Sequence, residues 1–430
     1  MMPFFFMTKG PPIKGLCQLL SGFLLACAVV SRAVAFGHPQ AEIMHYWVSP
    51  GEQAALQVIK KRFEAAGGEW IETPLANLDS MRSEVINRIA EGLPPTLMQW
   101  HAGNSIMELA ELDLVADLES IAQSQHWRSI LPQVVLDSVT HNGRFIVVPL
   151  NAHGENWGWY NSAIYRELNL HYPDSWDEFL AQAPIIAGAG YIPLAIGASD
   201  WQIRLLFNDI LIGVGGRKAY LSLLGKIQSG DAELDSAVLL RTMQILGSLR
   251  QYAAPGADNT SWDEATRLVI NGQAAVQFMG DWAKGEFLSA GKVLGQDFDC
   301  QLAPGNGSAY MIVIDAIAFA KTADPEQQTA QRLIAESLLT PEIQRDFNLA
   351  KGSIPLNRGV ELDGFDKCSR RGIAALNDDD NLLLSISLID SGRRTNVLTS
   401  SLLDFWLDTT IPPEQAAEHL AAALNEQNND

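Results

Sequence analysis

The sequence predicts an α/β protein of two lobes. Strand and helix alternate over residues 42–100, and the chain returns to helix after a strand-rich middle. Its 430 residues are also too many for one small core.

Residues 1–35 read as a secretory signal peptide. Lys9 and Lys14 form a basic patch, Leu16 to Val30 is an apolar run, and Ala33-Val34-Ala35 is a small-x-small cleavage site before Phe36. The run is short for a bilayer span. Leu24-Leu25-Ala26-Cys27 offers a competing lipoprotein site that would leave Cys27 lipidated. The Ala-x-Ala site is the closer match, so export to the periplasm without a lipid anchor is the expectation.

The exported chain opens with a strand at 42–47 (EIMHYW). Ser49 caps the following helix, Pro50 suits its first position and Glu52 closes a capping box. Ala55, Ile59 and Phe63 give that helix an apolar stripe. A strand near 69–72, a helix over 78–90 and a strand over 96–100 complete a parallel unit. Residues 145–150 and 156–160 read as strands leading towards a second lobe. Ser175 and Glu178 start a helix as a second capping box, and helical pattern continues to 252 and over 262–272. Strands follow at 274–279 and 311–320, then helices at 325–338, 341–349, 402–406 and 412–424. The expected organisation is a signal at 1–35, an N-terminal lobe mainly from 36–150 and a C-terminal lobe from 151–310. Residues 311–430 cross back between the lobes and end in helices. Ligands of such sheets sit at the carboxyl ends of strands, here in the crevice between lobes.

The chain carries 30 basic and 50 acidic residues. Loss of Lys9, Lys14 and Arg32 with the signal makes the balance more negative still, which disfavours nucleic acid and anionic lipid as partners. Cys300 and Cys368 would remain in an oxidising compartment, where they can form a disulfide or stay as two buried thiols. No cysteine or histidine cluster has zinc spacing, so neither a metal nor another cofactor is expected. The sequence has no GxSxG, HExxH, Walker or GxGxxG motif, which disfavours the enzymes those motifs mark. A glycosidase carboxylate pair would be spatial and leaves no such trace.

Several residues fall where a crevice should be. Tyr46 and Trp47 end the first strand, and flat aromatic faces bind the C–H side of a sugar ring. Trp47 has an alternative reading as core. Glu52 reads as a helix cap or as a hydroxyl acceptor. Gln99-Trp100-His101 ends the third strand. Trp157 and Trp159 alternate along a strand and read as core, whereas Trp201 opens a helix and would line a cleft or pack. Asp281 and Trp282 end the strand AAVQFM, a carboxylate and an indole suited to a neutral polyol. Asp315 interrupts an apolar run and needs a partner if buried. Lys351 precedes a tight turn, where it reads as a helix-terminal cation or as that partner.

Taken together, HYWVSPGE (45–52), PPTLMQWHAG (94–103), VVPLNAHGENWGWYN (147–161), PDSWDEF (173–179), INGQAAVQFMGDWAKGEF (270–287) and KGSIP (351–355) give the chain a family resemblance. It resembles the extracellular solute-binding proteins of ABC sugar importers (family 1), and within them the periplasmic glucose/mannose-binding group. The motifs run through nearly the whole exported chain in family order.

The resemblance implies a two-lobed periplasmic-binding-protein fold, type II-like, hinged around a sugar cleft. It implies a monomer that closes on a neutral monosaccharide such as glucose and docks on a membrane permease, without catalysis. The sugar-binding positions it implies are Tyr46, Trp47, Glu52, His101, Trp282, Asp315 and Lys351. Tyr46 stands where the group has tryptophan, and His101 where relatives can carry lysine. The group's late histidine is missing from Arg394-Thr395-Asn396-Val397, which leaves Asn396 as its substitute. The alternatives from other classes are a secreted carbohydrate-active enzyme and a sugar-sensing subunit of a membrane receptor.

Overall fold

The computed structural model describes residues 38–426 except 231, 255, 390 and 391, so the expected signal, its cleavage site and Cys27 lie outside the described residues. β1 (Gln40–His45), β2 (Glu69–Pro74) and β3 (Leu97–His101) are mutually parallel, with the Pro50–Ala65 and Leu78–Ala90 helices between them. The first helix begins as its sequence dictates. Ser49 accepts from the Glu52 amide and the Glu52 carboxylate accepts from the Ser49 amide. The Ser175 box is only half made, because the Glu178 carboxylate accepts instead from the Asp174 amide and contacts His171.

β4 (Thr140–His141) and β5 (Arg144–Phe145) form a small hairpin. β6 (Val147–Gly154) and β7 (Trp157–Asn161) follow, separated by Glu155 and Asn156. β8 (Ile192–Leu194), β9 (Ala274–Phe278) and β10 (Phe298–Leu302) join β7 in a four-stranded sheet of order β10-β7-β9-β8. β11 (Tyr310–Phe319) and β12 (Leu382–Leu384) complete the first sheet at six strands. There β11 runs antiparallel to both β3 and β6 and parallel to β12. One group of buried side chains, including Ile43, Leu97, Val148 and Ile317, packs about the six-stranded sheet. A second, including Tyr160, Phe179, Phe207 and Val276, packs about the four-stranded one. Trp157 and Trp159 are buried, as their alternation predicts. No helix among the described residues is long and apolar enough to cross a membrane.

Two departures from the sequence reading shape the site. The first strand stops at His45, two residues early, because the Tyr46 amide donates to the side chain of Gln99 (2.9 Å) rather than to a strand partner. Tyr46 and Trp47 therefore lie beyond the sheet. The second is a register shift where β6 passes Asp315: Asp315 pairs with Asn151, and Ala316 with Pro149. Pro149 has no amide proton to give the ladder, and such a residue in a strand favours a bulge. The bulged Leu150 carbonyl accepts from Gln344 (2.8 Å) and Asn348 (3.3 Å) of the Pro341–Lys351 helix. One proline thus helps to set the approach of the helix that ends in Lys351.

Cys300 of β10 is bonded to Cys368 of the Lys367–Ala375 helix, across 68 residues of sequence. A loop of that length restricts the unfolded chain by about 4 kcal/mol in the chain-entropy treatment. Reduction should therefore lower the urea midpoint by a corresponding amount. Two thiols titrating in the native protein before any reductant is added would show the bond absent.

Candidate functional site

The polar ends of these strands converge. Asp315 lies opposite His101 on β3 and Asn151 on β6. His153 follows two residues after Asn151 on the same strand face. Asp281 and Trp282 come from the turn after β9, in the other sheet. This turn packs tightly against the end of the Pro341–Lys351 helix. Gly352 has φ +83°, and a Cβ there would stand 2.8 Å from the Gly285 nitrogen, so a side chain would strain the backbone and separate the two turns.

His153 is the centre of the cluster. Its Nδ1 meets the Asp281 carboxylate and its Nε2 lies 3.1 Å from Asp315 Oδ2, so one ring joins carboxylates from both sheets. Burial by itself would push His153 down, but Asp281 and Asp315 outweigh it and hold the ring above its ordinary value. Burial would likewise raise Asp315, yet His153, His101 and Lys351 bring it to about 2. His101 behaves oppositely. Burial pushes it down to about 4 in spite of Asp315, 3.5 Å away, so it is neutral at pH 7. Its Nε2 shares a 3.0 Å hydrogen bond with the Tyr46 hydroxyl.

Lys351 pairs with Glu52 Oε1 at 3.4 Å and lies 5.4 Å from the centre of the Trp47 ring. Glu52 combines its two readings: Oε2 accepts from the Val48 and Ser49 amides, while Oε1 faces Lys351. Trp47 is 1% exposed and packs against Phe347, so it meets the core as well as the cluster. Tyr46, Trp201 and Trp282, by contrast, are partly exposed. Trp282 packs edge-on to His153 at 5.2 Å and lies 6.1 Å from Trp201. Glu286 ties the same region together, accepting from Ser49 Oγ (2.7 Å) and the Gly51 amide (2.9 Å).

Seven of the eight expected positions meet here through these contacts. The eighth, Asn396, is exposed on the Arg393–Leu407 helix and shares no hydrogen bond or ion pair with the cluster. Sequence reasoning passed over Asn151, His153, Glu155 and Arg204. The first three had a readable signal: polar residues at every second position, continuing the face of an otherwise apolar strand. Arg204 had none, since a basic residue in a helix is ordinary.

Several buried polar atoms in this region lack a hydrogen-bond partner: Gln99 Nε2, His101 Nδ1, Asn151 Oδ1, Glu155 Oε2 and Arg204 Nη1. Donors and acceptors left unsatisfied side by side suit a ligand that both donates and accepts, as a hydroxyl does. No group of three or more metal-ligating side chains occurs among the described residues.

The arrangement of two sheets and a polar cluster with aromatic neighbours is that of a bilobal solute-binding protein. A family profile described as "Bacterial extracellular solute-binding protein" matches residues 48–344. The chain is 32% identical over 361 residues to a "Probable sugar-binding periplasmic protein" of Mesorhizobium japonicum, covering 84% of this chain and 86% of that one. It is 23% identical to the xylose/arabinose-binding protein XacG of Haloferax volcanii (75% and 70% covered) and to the glucose-binding protein GlcS of Saccharolobus solfataricus (68% and 56%). Among solved structures, a chitin oligosaccharide binding protein superposes with a TM-score of 0.77 at 18% identity, over 91% of this chain and all of that one. The chain belongs to the bacterial extracellular solute-binding protein family.

Proposed function

We propose that this protein is the periplasmic receptor of an ABC sugar importer, binding a neutral, glucose-like monosaccharide and delivering it to a membrane permease. The observation that carries this reading is the set of buried, unpartnered donors and acceptors beside the Asp281–His153–Asp315 cluster, next to the partly exposed Tyr46, Trp201 and Trp282. Sugar hydroxyls match such mixed donors and acceptors, and the aromatic faces match the C–H side of the ring. The charges of Asp281, His153 and Asp315, and those of Glu52 and Lys351, pair with one another, which suits an uncharged ligand.

In this reading residues 36–150 supply most of one lobe and 151–310 the other, with 311–430 crossing back. Tyr46, Trp47, Glu52, His101, Trp282, Asp315 and Lys351 hold the sugar, and closure selects the bound form. Asn396 would join only after a movement of its helix. The protein acts as a monomer and releases its ligand unchanged.

A thermal-shift panel of hexoses, pentoses and disaccharides tests the proposal, with chromatography of the recovered ligand. Stabilisation by a hexose that is recovered intact is expected. Absence of any shift at millimolar sugar would refute the receptor reading, and a hydrolysed disaccharide would favour a carbohydrate-active enzyme.

A further inference from the structure

Arg204 and Glu155 are charged, more than nine-tenths buried, and belong to none of the positions the family resemblance supplies. Each keeps one polar atom without a partner, Nη1 of Arg204 and Oε2 of Glu155. Their other contacts fix them in place. Arg204 Nη2 donates to Ser387 Oγ at 3.2 Å, and Ser385 offsets part of the cost of burying the Glu155 carboxylate. Ser385 and Ser387 are joined to each other, since the Ser387 amide donates to Ser385 Oγ. The segment after β12 thus borders the guanidinium and the carboxylate, which attract each other electrostatically.

Both groups also border the cluster. Glu155 is two residues beyond His153, immediately after the end of β6. It interacts electrostatically with His153 and Asp281. Arg204 is three residues after Trp201, hence on the same helix face, and the Trp201 ring lies against Trp282. Its charge is felt at His101. A free N–H donor and a free carboxylate oxygen can together bind one hydroxyl, which accepts from the first and donates to the second. A methyl group or a hydrogen there would leave Arg204 Nη1 and Glu155 Oε2 buried without a partner.

We propose that Arg204 and Glu155 are specificity-determining residues that together bind the exocyclic hydroxyl of a hexose, so that the site prefers a hexose to the pentose lacking its hydroxymethyl group. This inference rests on the sugar-receptor reading above. The ring hydroxyls are served by the cluster around Asp315 and Lys351, and the Arg204–Glu155 couple serves the substituent that projects past them.

Calorimetric titration of the wild type, Arg204→Lys and Glu155→Gln tests this with two sugar pairs that differ by the hydroxymethyl group: glucose with xylose, and galactose with L-arabinose. In the pair that binds, the wild type should favour the hexose. Each variant should lose roughly tenfold or more in hexose affinity and less than about threefold in pentose affinity, narrowing the preference. Arg204→Lys keeps the charge and Glu155→Gln keeps the shape, and unliganded melting curves identify which variants are folded. Equal losses on both sugars, hexose affinity within about threefold of the wild type, or a wild-type preference for the pentose would overturn the assignment. Failure of the receptor reading looks different, since the wild type then binds none of the four sugars or any of the wider panel.

Discussion

Asp315→Asn should lower the free energy of unfolding by about 3–5 kcal/mol, the usual effect of removing one partner from a buried ionic group. The carboxylate faces His153 Nε2 at 3.1 Å, His101 Nε2 at 3.5 Å and Asn151 Nδ2 at 3.4 Å, and the residue is 3% exposed. Asparagine preserves the shape and removes the charge, so His153 retains only Asp281. The pH dependence gives an independent check. Asp315 titrates near 2 when folded against 3.8 ordinarily, so its contribution is complete above 3.8 and disappears as pH falls towards 2. The gap between wild type and variant should close over that acid range in urea titrations. His153 has the opposite sign: its value is raised in the folded state, so its contribution is complete below 6.5 and is lost as pH rises through the raised value. Sugar affinity should fall at least about tenfold in the variant, as expected for a charge-assisted hydrogen bond. Unaltered affinity in calorimetry would leave Asp315 a structural carboxylate.

Trp47→Ala should be comparably severe for a different reason. The indole is 1% exposed, packs on Phe347 at 5.9 Å between ring centres and lies beneath Lys351. Truncating such a side chain removes core packing worth about 3–5 kcal/mol. It also removes the surface against which Lys351 is held, so sugar affinity should weaken by about 1–3 kcal/mol. Trp47→Phe should recover much of the stability, because it keeps an aromatic ring against Phe347. If the alanine variant binds as tightly as the wild type, Trp47 belongs to the core alone.

The contrast between these residues explains what could be read in advance. The capped helix after β1 was legible because Ser49, Pro50 and Glu52 act within one turn. The β6 and β11 runs were legible because a buried strand is continuously apolar, and Asp315 stood out for that reason. His153 went unread because its role depends on Asp281, 128 residues away in sequence, and on Asp315, in another strand. The early end of β1 was equally hidden, since it depends on the Gln99 side chain reaching the Tyr46 amide.

The two-lobed α/β class, the alternation of elements, the family and most of the residues that gather at the strand ends were thus legible in the sequence. These follow from local periodicity, capping and ordered motifs. That Glu52 both caps its helix and pairs with Lys351, that Trp47 is buried, that His153 joins both sheets and that Asn396 stands apart emerged from the folded chain alone. Such facts depend on how distant segments exclude water from one another, and electrostatic pairing strengthens only where that exclusion has occurred.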